Sequence, residues 1–224
     1  MGEESEFTVS RDWKERLSVS RDVGTGFAAP GGEFTRALYE WSLTPGGSFL
    51  RKLLAGRRVV ELGAGMMPYG YALAASCEAF NFVAVEPFYA DKQKASVKGM
   101  IEGAGQTLPR MPYKGEGRDM LEYLKEEADE LLCVVACGIE DCILPNPEYR
   151  KKVEGEIYRV LEKDTFFLSS HSDLEPQGLR MLEMIFCRPS NPKVEDRLRL
   201  HGSAEAFEKY GMCLAGKAEN SLLF

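Results

Sequence analysis

The run Val59-Val60-Glu61-Leu62-Gly63-Ala64-Gly65 constrains this chain more than any other stretch. Its apolar residues predict a strand that breaks off at two closely spaced glycines, where the missing Cβ lets the backbone turn sharply and another group come close. A second apolar run, Phe82-Val83-Ala84-Val85, closes on Glu86. A strand, a glycine turn, a helix and a second strand ending in an acid together form the device by which an α/β sheet holds an adenosine-containing cofactor. Glu86 stands where a carboxylate can accept hydrogen bonds from both ribose hydroxyls.

A chain of 224 residues with 44% hydrophobic and 28% charged residues can bury its core as one domain without disulfides or metal. Its formal net charge of -7 argues against a broad electrostatic grip on nucleic acid or on an anionic membrane. A small molecule, a protein side chain or a basic partner suits it better as a substrate, and nothing in the sequence sets an oligomeric state. No apolar run reaches the length of a membrane span, and the start Met1-Gly2-Glu3-Glu4-Ser5-Glu6 is acidic where a signal peptide is basic. We therefore expect a soluble, intracellular and specifically cytoplasmic protein. The six cysteines, Cys77, Cys133, Cys137, Cys142, Cys187 and Cys213, contain no Cys-x-x-Cys pair. Cys133, Cys137 and Cys142 cluster near one strand end, but a chain with two histidines is a poor zinc site, so reduced, buried thiols and no metal are expected.

Residues 1 to about 22 are polar, with Trp13 and Leu17 as anchors. Four glycines between Gly24 and Gly32 predict an irregular segment, either a plain linker or, with Phe27, a lid over a cofactor or substrate. Phe34, Leu38 and Trp41 recur at helical spacing over 33–43, and 48–55 reads as a further helical turn or two. These segments form an N-terminal extension over residues 1–55. From residue 56 onward strand and helix alternate, the pattern of a parallel sheet covered on both faces. Strands are predicted near 57–62, 81–86, 111–114, 131–137 and 165–170. Helices are predicted near 68–77, 90–102, 118–129, 147–161 and 176–187, the last with Met181 and Met184 in an apolar stripe. Residues 211–224 suggest a closing hairpin around 216–220.

At Glu61-Leu62-Gly63-Ala64-Gly65 the chain resembles the class I S-adenosylmethionine-dependent methyltransferases, a likeness that runs through residues 56–224 in the order and spacing of elements. The resemblance implies a Rossmann-like, seven-stranded, mostly parallel sheet with helices on both faces and a C-terminal β-hairpin, here preceded by a helical extension. It implies S-adenosyl-L-methionine as cofactor, with Glu61, Gly63 and Gly65 beside its methionine part and Glu86 on its ribose. Where the family often has a third glycine, this chain has Met67, followed by Pro68, a residue suited to a first helical turn. Phe88 is a candidate to lie against the adenine. Asp119 and Met120 follow the third strand, where the family often offers an Asp side chain and a backbone N–H to the base, and Asp119 is equally well placed to cap a helix. Cys137 ends the strand that faces the transferred methyl.

The loop after Cys137 lacks the Asn/Asp-Pro-Pro-aromatic motif of amide and adenine methylators, and offers Glu140 and Asp141 as groups to orient an acceptor. His171, at the end of the fifth strand, is the candidate general base. His201, in the Arg-rich connector expected over 197–201, has a weaker claim. The competing readings are transfer of the cofactor's aminocarboxypropyl group, a non-catalytic scaffold, and a nicotinamide-dependent oxidoreductase. The last leaves Glu61 without a task and places Pro68 where a third glycine belongs.

Overall fold

The computed structural model describes residues 28–65, 69–87, 90–104, 110–127, 132–139, 144, 146–161, 165–212 and 222–223. In chain order these form α1 (Ala28–Ser42), α2 (Phe49–Leu54), β1 (Arg58–Leu62), α3 (Tyr69–Ser76), β2 (Asn81–Val85), α4 (Ala90–Ala104) and β3 (Tyr113–Glu116). There follow α5 (Met120–Glu126), β4 (Leu132–Cys137), α6 (Pro147–Val160), β5 (Phe166–Ser170), β6 (Arg180–Arg188), β7 (Asn191–Gly202), α7 (Ala204–Lys209) and β8 (Leu222–Leu223). The strands lie side by side in the order β3-β2-β1-β4-β5-β7-β6-β8. The first five run parallel, and β7 runs antiparallel between β5 and β6.

Alternate residues of each strand feed two cores, one on each face, as the pleat requires. Val59, Phe82, Ala84, Cys133, Val135, Phe166 and Leu168 pack beneath α1–α4 and α7. Val60, Leu62, Val83, Val85, Val134 and Phe167 pack beneath α5 and α6. Glu61 and Cys137 are in phase with the first set, so both face the layer that contains α1. Asp119 and Asn146 accept N–H bonds from the first turns of α5 and α6, which fixes where those helices start.

Several expectations are corrected. The predicted helix over 176–187 is strand β6. Leu182, Met184 and Phe186 are buried while Met181 is exposed, a period of two that the three-residue Met spacing masked, and every residue to Cys187 pairs in register with β7. The described antiparallel hairpin is β6–β7, turning at Pro189-Ser190; the hairpin expected over 211–224 lies largely outside the described residues, where Leu222–Leu223 is a strand parallel to β6. His201 is not in a connector but buried in β7. α1 begins at Ala28, inside the segment expected to be irregular, because Pro30 falls in a first turn whose N–H groups have no helical partner. Gly24–Phe27, Trp13 and Leu17 lie outside the described residues.

Candidate functional site

The carboxyl edge of β1, β2 and β3 brings three buried acids together. Glu61 leaves β1 on the α1 face, and its Oε1 accepts a 2.8 Å hydrogen bond from Thr35 of α1. Its Oε2 is buried without a hydrogen-bond partner. Removal from water, partly opposed by the Thr35 bond and reinforced by the nearby Glu86 charge, pushes the Glu61 carboxyl up to about 8. The space around it is tight: a Cβ on Gly70 of α3 would lie 1.8 Å from Oε2. Gly70 is thus the residue that lets α3 pass over the acid.

Gly63 and Gly65 both adopt φ of +61°, so the turn after β1 is one that side chains disfavour. At Gly63 the place of a Cβ is taken by Ile139, 2.3 Å away, so that glycine answers to packing within the chain as well as to turn geometry. The turn is held from both sides. Glu86, buried at the end of β2, accepts the Gly65 N–H at 2.9 Å. Gln93 of α4 donates to the carbonyls of Ala64 and Gly65 at 3.0 and 3.1 Å, and its own oxygen accepts from Tyr113 at 3.0 Å.

Asp119 caps α5, its Oδ1 accepting from the Glu122 N–H at 2.9 Å and from the Tyr149 hydroxyl at 3.2 Å. Loss of water, and then the neighbouring Asp119 charge, push the Tyr149 phenol up. Met120, half-buried, opens the helix. Cys137 is buried at the end of β4, its thiol pushed up by burial and by the Glu61 charge. Cys133, four residues earlier on the same face of β4, is pushed up to about 12 by burial. Met67, Phe88, Glu140, Asp141 and Cys142 lie outside the described residues. Among the described residues no three His, Cys, Asp or Glu side chains gather as a metal site, and no helix is long and apolar enough to cross a membrane.

The two histidines are in opposite circumstances. His171, just past β5, stacks on Phe34 and sets Nε2 3.0 Å from Asp196 of β7. His201 is buried on the other face, where loss of water and the Arg199 charge push it down to about 4, and its Nε2 has no partner. Sequence reasoning missed Thr35, Gln93, Asp196, Arg188 and the second role of Phe34. A signal existed for three of them. Thr35 is in step with Leu38 on an apolar helix face, Gln93 is in step with Val97, and Asp196 alternates with the buried Leu198 and Leu200. Each is a polar residue in a phase reserved for core.

No family model and no curated protein matches the chain. Among solved structures it is similar to spermidine synthase from Thermotoga maritima, with a TM-score of 0.51 and 11% identity over 78% of this chain and 61% of that one. It is also similar to MtNAS in complex with MTA and tNA (TM-score 0.49, 14% identity, 87% of this chain and 78% of that one). A third likeness is to SMU.776, a putative methyltransferase complexed with SAH (TM-score 0.48, 12% identity, 69% of this chain and 47% of that one). The strand order, with β7 reversed between β5 and β6, makes this the Rossmann-like fold of the class I S-adenosylmethionine-dependent methyltransferases.

Proposed function

We propose that the chain binds S-adenosylmethionine along the carboxyl edge of β1–β3 and transfers its methyl group to a small molecule or a protein side chain. The observation that carries this reading is the buried, unpartnered Oε2 of Glu61 at about one glycine turn from Glu86. A buried carboxylate oxygen without a donor is costly, and the ligand that relieves it best is a cation. The cofactor's amino group suits Glu61, its ribose hydroxyls suit Glu86, and its adenine suits Asp119 with the backbone of Met120; Gly63 and Gly65 shape the turn between them. Met67, Phe88 and Cys137 complete the proposed contacts.

When bound, S-adenosylmethionine supplies an electrophilic methyl on a sulfonium. The chain's task is then to align the acceptor and keep water out, and orientation alone reaches effective molarities of about 10⁵ M. Glu140 and Asp141 are proposed to orient the acceptor, and the 1–55 extension, with Phe27 preceding α1, to act as a lid over cofactor or substrate. A pyrophosphate, as in a nicotinamide cofactor, would bring negative charge against Glu61 and Glu86, and the reversed β7 departs from the 3-2-1-4-5-6 order of dinucleotide folds. The free thiols of Cys77, Cys133, Cys137 and Cys187 support a reducing, cytoplasmic setting.

Calorimetric titration with S-adenosylmethionine, S-adenosylhomocysteine and NAD tests the reading. We expect micromolar binding of the first two, at least tenfold weaker in Glu86→Ala, and none of NAD. Failure of both sulfur ligands to bind would leave the non-catalytic scaffold as the better account.

A further inference from the structure

Four elements converge on one imidazole at the other end of the same edge. β5 ends at Ser170, and His171 takes φ of +48°, a left-handed backbone that costs a residue with a Cβ about 1 kcal/mol or more. Its ring lies flat on Phe34 of α1, with centroids 3.7 Å apart and planes 10° from parallel. Its Nε2 meets Oδ1 of Asp196, a side chain only 1% exposed. Arg188, at the end of β6, binds both Asp196 oxygens, Nε to Oδ2 at 2.6 Å and Nη2 to Oδ1 at 3.0 Å, and its guanidinium lies 5.6 Å from the Phe34 ring centroid.

The arrangement has a direction. With Nε2 turned to a carboxylate, the neutral imidazole keeps its proton there, and Nδ1 is left as the basic nitrogen. Among the described residues Nδ1 makes no hydrogen bond, while the side chain remains 35% exposed. A histidine that only filled space would need neither the strained backbone nor a buried acid anchored by an arginine. Phe34 is also the neighbour of Thr35, which holds Glu61, so adjacent residues of α1 touch the cofactor-side acid and this imidazole.

We propose that Asp196, Arg188 and Phe34 position His171 to take a proton at Nδ1 from the methyl acceptor, whose reacting group is therefore a hydroxyl or an ammonium. This rests on the methyl-transfer reading above. The X–H bonding pair stays on the acceptor atom as the lone pair that would attack the methyl, the S–CH3 bonding pair would leave with sulfur to give neutral S-adenosylhomocysteine, and the proton forms an imidazolium facing Asp196 and later leaves to water. Arg188 keeps Asp196 in place so that the imidazolium, not the carboxylate, carries the proton. Asp196, Arg188 and Phe34 are positioning residues; of these four side chains only His171 touches the acceptor.

The test uses the full chain labelled with ¹⁵N-histidine, in which only two imidazoles resonate and His171→Gln identifies one of them. We expect neutral His171 to carry its proton on Nε2, with or without S-adenosylhomocysteine. A proton on Nδ1 would overturn the proposal, and His201→Gln gives the same assignment by difference if His171→Gln does not fold. The same chain is then given methyl-labelled S-adenosylmethionine and a panel of phenols, alcohols and primary amines. His171→Gln should lower kcat about 100-fold or more with the acceptor KM little changed, and Asp196→Asn about tenfold or more. Arg188→Lys should retain more turnover than Arg188→Ala. Bound S-adenosylhomocysteine with no transfer to any protic acceptor, or with transfer indifferent to His171→Gln, contradicts the proposal. Loss of S-adenosylhomocysteine binding by the wild type would instead strike the cofactor reading.

Discussion

The two ends of the sheet's carboxyl edge handle a buried acid in opposite ways. At β1, Glu61 has one oxygen on a neutral hydroxyl and the other on nothing, and burial pushes its carboxyl up to about 8. At β7, Asp196 is as deeply buried but has an arginine on both oxygens and an imidazole on one. The first arrangement is incomplete and invites a cation; the second is complete and orients a neighbour. An open acid and a closed one on the same edge divide the proposed work between holding a charged cofactor and managing a proton.

Removing each acid should therefore have different consequences. Asp196→Ala removes the buried carboxylate on which the Arg188 guanidinium and the His171 ring converge and should cost about 3–5 kcal/mol in chemical denaturation. A loss under about 1 kcal/mol would mean that the closed network is not a unit. Glu61→Gln should behave differently, because the wild-type group folds in its neutral form. A carboxyl raised from 4.5 to about 8 contributes its full stability below pH 4.5 and loses it as pH rises through 8. The wild type should thus lose about 4 kcal/mol relative to Glu61→Gln between those limits. A pH-independent difference between the two would show Glu61 ionised in the fold. The smallest change tests the fit over the open acid: Gly70→Ala puts a methyl into Glu61 and Phe82 and should destabilise by about 1–3 kcal/mol, although alanine is the better helix former. Neutral or improved stability would mean that α3 can step away from the acid.

The two ends also differ in how far they could be read from sequence. At the β1–β3 end each acid lies in its own strand or within three residues of its end, so local pattern places Glu61, Glu86 and Asp119 together as soon as the strands are parallel neighbours. At the β5–β7 end the same reading found His171 and nothing around it. Its partners come from α1, β6 and β7, and they meet only through the antiparallel register that sets Ser169 beside Arg199 and Phe186 beside Asp196. Reading β6 as a helix hid that register, because Met181 and Met184 suit a spacing of three while Leu182, Met184 and Phe186 obey a spacing of two. Thr35 was lost differently: Phe34, Leu38 and Trp41 defined the helix, and the polar residue on its buried face was passed over.

The most direct test of the open acid counts protons. If Glu61 is neutral at pH 7 and meets the amino group of S-adenosylhomocysteine, binding must ionise it. Calorimetry in buffers of differing ionisation enthalpy should then record release of about one proton per ligand at pH 7, fading above pH 8 and absent in Glu61→Gln. Tight binding with no proton released, or with release unchanged in Glu61→Gln, would contradict the assignment of Glu61 as the acid that receives the cofactor's charge.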